Sequence, residues 1–159
     1  GAQRFVGEPR PTFGVADWRD PRSIAPAGAY RRVVCNPPYF PAHSGPVNAD
    51  EASTVARHEQ EDTLDSLCAA ASWLLTSGGR FFLCHRPERM AEVFATLCAH
   101  RLEPKRVALV KNSAGGAPWL FLVEAQKNRK PGLKWEPDVL IETGAALYGS
   151  GQRRTNGVC

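Results

Sequence analysis

The chain has 159 residues, of which 43% are hydrophobic and 23% are charged. This size and balance are typical of about one globular domain and exclude a chain that is disordered throughout. Because no run of about 18 apolar residues occurs and no signal-peptide pattern opens the chain, we expect a cytoplasmic protein without a membrane span. The net charge of +4 and the pI near 9.0 favour an acidic partner such as a phosphate backbone, although many basic proteins bind no nucleic acid.

The cysteine spacing argues against both a disulfide framework and a metal site. No C-x-x-C pair occurs among the five cysteines. Cys35, Cys68, Cys84 and Cys98 lie in apolar stretches, and Cys159 is the last residue. We therefore expect reduced cysteines that pack in the core, and no bound metal.

From about residue 30 onward, strand-like and helix-like stretches alternate. Arg31 to Cys35 is an apolar run that predicts a strand, and residues 41 to 61 form a long irregular stretch. Apolar residues then recur at helical spacing from Thr63, and Gly78-Gly79 predicts the end of that helix. This half of the chain is therefore expected to read strand, loop, helix.

The second half continues the alternation. Arg80 to His85 predicts a buried strand, and Pro87 opens a helix. Arg106 to Val110 and Trp119 to Glu124 predict two strands, and the short Gly-rich turn between them favours an antiparallel hairpin. The whole order predicts an α/β sheet whose last strand is reversed. We expect residues 139–148 to form a strand or hairpin at the domain edge, and residues 149–159 to form a flexible tail.

The motif Asn36-Pro37-Pro38-Tyr39 follows directly on the first predicted strand. Each proline fixes its own φ and keeps the residue before it out of helical space, so the loop should be stiff. A stiff loop can hold the Asn36 carbonyl and a backbone carbonyl, that of Pro37 in our interpretation, as two acceptors for one NH2 group. Tyr39 and Phe40 then offer an aromatic face for a planar base. The simpler interpretation is a Pro-rich turn, but the motif lies where ligands bind in such sheets.

The chain resembles a known family in five short motifs. Together they are similar to the bacterial tRNA(Val) adenine-N6 methyltransferases, over roughly residues 12 to 143: Asn36-Pro37-Pro38-Tyr39-Phe40, Ala56-Arg57-His58-Glu59, His85-Arg86-Pro87-Glu88-Arg89, Glu103-Pro104-Lys105-Arg106 and Pro131-Gly132-Leu133-Lys134. The resemblance implies a Rossmann-like class I methyltransferase sheet with an antiparallel last strand. It also implies methyl transfer from S-adenosylmethionine to an adenine amine in tRNA.

The resemblance assigns roles to particular residues. Asn36, Pro37, Pro38 and Tyr39 would hold the target base, and Asp17, beside Trp18, would bind the adenine of the cofactor together with Asn36. For the charged members of a second set the notable alternatives are helix capping at residues 57–58, a surface ion pair at Arg86 and solvated charge in the cluster from Lys127 to Lys134. The resemblance and the basic balance imply that this set contacts RNA: Phe40, Arg57, His58, His85, Arg86, Lys127, Arg129, Lys130, Lys134 and Trp135.

The chain departs from this family before residue 12. The acidic, Gly-rich cofactor turn and the second carboxylate should lie there, and residues 1–11 contain neither. We therefore expect residues 1–148 to form a partial methyltransferase domain that lacks the first two strands and is inactive by itself. A strand at Phe13 to Ala16 would then have no neighbour. Circular permutation, with Val139 to Gly144 as the cofactor strand, is disfavoured by the glycine spacing.

Three functions stay open at this point. The first is adenine-N6 methylation of tRNA. The second is methylation of another planar nitrogen, either a release-factor glutamine or a guanine of ribosomal RNA. The third is a non-catalytic RNA-binding fragment. Methyl-transfer assays on each substrate and titration with S-adenosylmethionine separate them.

Overall fold

A computed structural model describes residues 11–37 and 63–141 of the chain. Within these two ranges there are two longer helices and six strands, together with a short helix near the start and a 3-10 turn at Pro87–Arg89. In chain order they are α1 (Pro21–Ile24), β1 (Tyr30–Cys35), α2 (63–74), β2 (Leu75–His85), α3 (Met90–Ala99), β3 (Leu102–Lys111), β4 (Pro118–Lys127), β5 (Lys134–Trp135) and β6 (Val139–Leu140).

The strands form one mixed sheet in the order β1-β2-β4-β3-β5, with β6 also paired to β3. β1 and β2 are parallel, and β4 is antiparallel to both β2 and β3. The carboxyl ends of β1, β2 and β3 therefore lie at one edge of the sheet. The predicted α/β sheet with a reversed last strand is confirmed.

Helices α2 and α3 cover one face of this sheet. Leu64, Leu67 and Cys68 of α2 share a single core with Val93 and Leu97 of α3. The strands contribute alternate residues to this core, as the period of two requires, among them Phe81, Leu83, Val107, Phe121 and Val123. Phe94 meets Phe121 edge to face with a centroid separation of 6.1 Å, which locks α3 against the central strand.

The opposite face of the sheet carries apolar side chains that remain accessible. We call this the open face, and define it by Val34, Phe82, Cys84, Ala108 and Leu122. Val34 is 77% exposed and Leu122 is 39% exposed. Because strand residues alternate, these positions are the neighbours in sequence of the core residues on the helix-covered face.

The glycine pair does not end helix α2 as predicted, but lies inside the next strand. Helix α2 stops at residue 74, and Gly78 and Gly79 lie inside β2. The pairing of β1 with β2 shifts from Tyr30↔Leu75 to Arg32↔Arg80, so the two glycines occupy a bulge. Gly78 has φ +78°, and a Cβ on Gly79 would lie 2.9 Å from the Thr76 carbonyl oxygen. The bulge therefore requires glycine at both positions.

The segment Phe13 to Ala16, which was expected to lack a neighbouring strand, forms no strand. Residues 11–17 have no regular structure, and Val15 is fully exposed. The four strands predicted between residues 31 and 124 are confirmed and extend beyond their predicted bounds. Of the strand or hairpin predicted at 139–148, only Val139–Leu140 is a strand, and residues 142–159, including the predicted tail, lie outside the described residues. Helix α3 begins after the 3-10 turn that Pro87 opens. Among the described residues, no helix combines the length and the apolarity needed to cross a bilayer.

Candidate functional site

Asn36 lies immediately after β1, at the carboxyl edge of the sheet. The last pairing of β1 is Cys35↔Leu83, which places Asn36 beside Cys84 of the neighbouring strand β2. The Asn36 side chain is exposed, and Pro37 behind it is buried. Pro38, Tyr39 and Phe40, which complete the predicted motif, lie outside the described residues, as do Arg57 and His58. The described part of the loop thus presents an amide at the edge and anchors it with a proline.

The Asn36 side chain has a specific neighbour. The thiol of Cys84 donates a hydrogen bond to Asn36 Oδ1, with an S···O distance of 3.1 Å. Cys84 is half-buried and sits between two strands, since β2 pairs with β1 on one side and with β4 on the other. The amide oxygen is thereby bonded to a strand that is paired on both of its sides.

A cavity of about 610 Å³ opens over this part of the open face. Asn36 and Cys84 border it together with Val34, Phe82 and Leu122. The lining is mostly apolar, and the amide of Asn36 adds a polar group at the edge where parallel strands end. Clefts of this size that combine apolar walls with few polar groups are typical of small-molecule or base-binding sites.

The other border of the cavity is charged. Glu124 is only 7% exposed, and its carboxylate lies 3.3 Å from Arg80 and 3.1 Å from Arg106. Arg106 also donates to Glu136 at 2.7 Å. Both carboxylates favour the protonated guanidinium, Glu136 more strongly than Glu124, and together they raise the pKa of Arg106. The ion pairs of this network hold in place the side of the cavity that β3 and β4 form. The arginines and carboxylates in it are paired with one another.

His85 and Arg86 end β2 at the same edge but have different surroundings. His85 is 3% exposed, and its Nδ1 accepts a hydrogen bond of 2.9 Å from the Arg86 backbone N–H. Burial lowers the pKa of His85, and the nearby Arg89 lowers it further. The Arg86 guanidinium is 44% exposed and lies 3.7 Å from the Glu88 carboxylate. Arg86 can therefore reach a ligand at this edge, whereas His85 packs inside the fold.

Asp17 and Trp18 lie in a separate place. They border a cleft of about 960 Å³ with Thr63 and Ser66 of α2, and this cleft shares no lining residue with the cavity beside Asn36. The Asp17 carboxylate binds the Arg19 side chain through contacts of 2.7 to 3.0 Å. These hydrogen bonds lower the pKa of Asp17. A cofactor adenine would have to displace Arg19 from this carboxylate.

The basic cluster near the end of β4 lies at the opposite end of the sheet from Asn36. The Lys127 ammonium donates to the carbonyl oxygens of Ser72 and Leu75, where α2 ends and β2 begins. Along β2 that position is roughly 20 Å from Cys84, at about 3.3 Å per residue outside the bulge. Arg129 and Lys130 are exposed. Lys127 therefore caps a helix, and the Arg129 guanidinium lies against Gly78 of the β2 bulge.

Two features of the site had no signal in the sequence that singled them out. Cys84 appears there as one more apolar position of a buried strand, and Glu124 appears as the end of a strand. Their importance comes from cross-strand pairing, because β2 and β4 place them beside Asn36 and between two arginines respectively. Pairing register is a tertiary property that a single strand pattern does not reveal.

Comparison with known proteins gives one related sequence and several related folds. The chain is 30% identical over 86 residues to the tRNA1(Val) (adenine(37)-N6)-methyltransferase of Shewanella pealeana, covering 54% of this chain and 32% of that protein. No protein-family model matches the chain. The family resemblance inferred from the motifs is confirmed over this part of the chain.

Solved structures give the fold. A predicted O-methyltransferase from Agrobacterium tumefaciens matches 72% of this chain and 44% of its own, with a TM-score of 0.54 and 23% identity. A Thermus thermophilus protein provisionally assigned as a DNA modification methylase, solved with S-adenosyl-L-methionine, matches 74% of this chain and 53% of its own, with a TM-score of 0.55 and 16% identity. The fold is that of the class I methyltransferases. The chain spans about a third of the curated relative and about half of these structures.

Proposed function

We propose that the protein transfers a methyl group from S-adenosylmethionine to the exocyclic N6 amine of an adenine in tRNA, in the cytoplasm. The observation that carries the proposal is the position of Asn36, whose amide oxygen stands at the carboxyl edge of the sheet beside an open cavity. The partial likeness to a tRNA adenine-N6 methyltransferase supports the choice of substrate.

The proposed chemistry needs orientation more than it needs a base. An amine conjugated to a ring is a poor nucleophile because its lone pair is delocalised. Asn36 Oδ1 accepts one hydrogen of the NH2 group and a backbone carbonyl of the loop, that of Pro37, accepts the other, so that the lone pair is aimed along one direction. S-adenosylmethionine, when bound, supplies a methyl group on a sulfonium centre. The same oxygens stabilise the positive charge that grows on the nitrogen, which then loses a proton to solvent.

Other residues have supporting roles in this proposal. Tyr39 and Phe40 stack on the target base, and Pro37 and Pro38 keep the loop stiff. Asp17 and Trp18 contact the adenine of the cofactor, with Arg19 displaced. Arg57 and His58 order the loop over the substrate. Each of these roles follows from the family likeness and the motif.

The Asn36→Ala variant tests the catalytic role directly. We expect its rate of methyl transfer to tRNA that lacks the modification to fall by roughly 10²- to 10³-fold, because one preorganised acceptor used in the transition state is lost. The dissociation constant for tRNA should stay unchanged. Asn112→Ala, which removes another exposed amide at the same edge but after β3, three strands away from β1, is the matched control and should keep full activity. A near-normal rate in Asn36→Ala would overturn the assignment.

Salt-dependent binding tests the proposed RNA contacts. Arg86→Ala should weaken tRNA binding and lower the slope of log K against log salt by about one, since one phosphate contact is lost. The double variant of Arg129 and Lys130 to Ala should lower it by about two if the RNA extends over both ends of the sheet. Lys127 is left out of this set because its ammonium caps α2. An unchanged slope removes the corresponding residues from the interface.

Cofactor affinity separates the enzyme from a non-catalytic RNA-binding fragment. Calorimetry of this 159-residue chain with S-adenosylmethionine should give weak or no binding, because residues 1–11 contain no acidic, Gly-rich turn. The complete product of the gene should bind the cofactor. Absence of binding in both would favour the non-catalytic function.

Substrate exchange separates the methyltransferases. The complete gene product is offered unmodified tRNA, ribosomal RNA and a release-factor peptide with its glutamine. N6-methyladenosine in the digested tRNA supports the proposal. Methylated guanine or methylated glutamine would instead identify one of the two related activities.

A further inference from the structure

We infer that Cys84 is a positioning residue that sets the orientation of the Asn36 amide; this inference rests on the proposed function. The Cys84 thiol lies 3.1 Å from Asn36 Oδ1 and donates a hydrogen bond to it. Both residues border the same cavity. None of the five motifs that carry the family likeness includes Cys84.

The backbone holds the thiol in a fixed place. Cys84 pairs with Leu122 of β4, and its neighbour Leu83 pairs with Cys35 of β1. A residue in the middle of three hydrogen-bonded strands has little freedom to move. Asn36, in contrast, is the first residue after a strand, and its amide can rotate about the Cβ–Cγ bond. The position of the Cys84 thiol therefore constrains the orientation of the Asn36 amide.

The chemistry of the two groups decides which end of the amide faces the cavity. A thiol is a weak donor and a weak acceptor, whereas an amide has an acceptor oxygen at one end and a donor NH2 at the other. Turning the amide by half a rotation would replace the S–H···O bond to a carbonyl oxygen, a strong acceptor, with an N–H···S contact to a weak acceptor. In that orientation the NH2 of Asn36 would also oppose the NH2 of the substrate. Cys84 thus favours the rotamer in which the oxygen is available to an amine.

The hydrogen bond leaves room for the substrate. An amide oxygen has two lone pairs, so that one bond from the thiol is compatible with a second from a substrate N–H. A neutral hydrogen bond of this kind is worth about 0.5–1.5 kcal/mol. The expected effect of removing the thiol is therefore a loss of roughly twofold to tenfold in kcat, smaller than the loss on removing Asn36 itself.

Steady-state kinetics of methyl transfer by the complete gene product is the first arm of the test. Cys84→Ala should lower kcat by roughly twofold to tenfold, with the KM for tRNA unchanged. Cys84→Ser, which keeps a donor at the same position, should restore most of the loss. Cys98→Ala is the matched control, because Cys98 is an exposed cysteine of α3, and it should leave kcat unchanged. Full activity in Cys84→Ala, or an equal loss in Cys84→Ser, would overturn the inference.

The second arm needs no activity and uses the 159-residue chain. Iodoacetamide labelling is followed at each cysteine by peptide mass spectrometry. Relative to the wild type, Cys84 should be alkylated faster in Asn36→Ala, where the acceptor is lost, and more slowly in Asn36→Asp, where a carboxylate opposes formation of the thiolate. Cys98 is the internal reference for an exposed thiol. Cys68 is the unreactive reference, because burial raises its pKa to about 12.

The two arms separate this inference from the proposed function. If the labelling rates do not respond to Asn36 in these opposite directions, the contact is wrong and Cys84 has no positioning role, whatever the activity. If they respond as expected and the wild type transfers no methyl group to any planar nitrogen, the contact stands. In that case the proposed function fails, and the positioning role in methyl transfer fails with it.

Discussion

His85 couples the stability of the fold to pH at the scale of one residue. The ring is 3% exposed, and burial lowers its pKa, so that the folded protein binds this proton more weakly than the unfolded chain does. Above the ordinary histidine pKa of about 6.5 the ring is neutral in both states and has no effect on the pH dependence. Below it the unfolded chain takes up a proton that the folded protein resists, and the free energy of unfolding falls.

This pH dependence of the free energy of unfolding can be measured on His85 directly. Urea denaturation between pH 8 and pH 5 should show the wild type losing stability below about pH 6.5. His85→Gln, which keeps an acceptor near the Arg86 N–H, should show a shallower fall over the same range. Identical slopes for the two proteins would mean that His85 is not the group responsible.

Glu124 is the residue on which the charged wall of the cavity depends. It is 7% exposed and contacts both Arg80 and Arg106. Removing its charge leaves two arginines that are each about half exposed and can turn to solvent, so the loss should be moderate. We predict that Glu124→Gln lowers the free energy of unfolding by about 1–3 kcal/mol, measured by urea denaturation.

Glu136→Gln is the matched control for this prediction. It removes the other carboxylate that binds Arg106, but Glu136 is 35% exposed. A more solvated pair contributes less to stability, so the loss should be smaller than in Glu124→Gln. Equal losses in both variants would contradict the prediction that the buried Glu124 contributes more to the free energy of unfolding than the more exposed Glu136.

At the scale of elements, the join between α2 and β2 depends on Lys127. Its ammonium donates to the carbonyl oxygen of Ser72, in the last turn of α2 where carbonyls lack intrahelical partners, and to that of Leu75, the first residue of β2. A cation near the carboxyl end of a helix also interacts favourably with the helix dipole. The join is therefore held by a side chain that comes from the end of β4, more than fifty residues later in the chain.

We predict that Lys127→Ala lowers the free energy of unfolding by about 1–2 kcal/mol, because two charge-assisted hydrogen bonds are lost. Lys130→Ala should have no comparable effect, since that side chain is exposed. Thermal or urea denaturation of the two variants compares a capping lysine with a solvated one three residues away. Equal stability of the two would show that Lys127 does not cap α2.

Sequence patterns predicted the elements well where periodicity was strong. The strand before Asn36, the helix from Thr63 and the hairpin of β3 and β4 are all present, because their apolar residues recur with the period of the structure they form. The end of α2 was predicted wrongly at Gly78-Gly79. A glycine pair is compatible with a helix end and with a bulge, and only the pairing with β1 distinguishes them.

The candidate site was predicted less completely. The position of Asn36 at the carboxyl edge follows from the strand and the prolines alone. Its contact with Cys84 and the pairing of Glu124 with two arginines could not be predicted, because they depend on which strands become neighbours and in what register. His85 was considered as a phosphate contact on its position alone, and its burial excludes that use. Cys98, expected in the core, is exposed.

At the scale of the whole molecule, the sheet has unequal faces. Helices α2 and α3 bury one face, whereas the open face exposes Val34 and Leu122 beside the cavity. Contiguous exposed apolar surface of this kind binds amphipathic dyes and other apolar groups. The chain should therefore enhance the fluorescence of anilinonaphthalene sulfonate while it is folded.

The double variant of Val34 and Leu122 to Ser tests this prediction. It should reduce the dye signal severalfold, with a small effect on the free energy of unfolding, because both side chains are already exposed. Val15→Ser is the matched control, since Val15 is fully exposed but lies outside the sheet. A dye signal that the double variant leaves unchanged would mean that the dye binds elsewhere.

The central claim is that Asn36 presents a fixed oxygen that binds and aims an amine for methylation. The most direct measurement is transfer of labelled methyl from S-adenosylmethionine to unmodified tRNA by the complete gene product, with the product nucleoside identified by mass spectrometry. We predict N6-methyladenosine from the wild type and from Asn112→Ala, and almost none from Asn36→Ala at equal tRNA affinity. No methylated adenine from the wild type, or an undiminished rate from Asn36→Ala, would contradict the account.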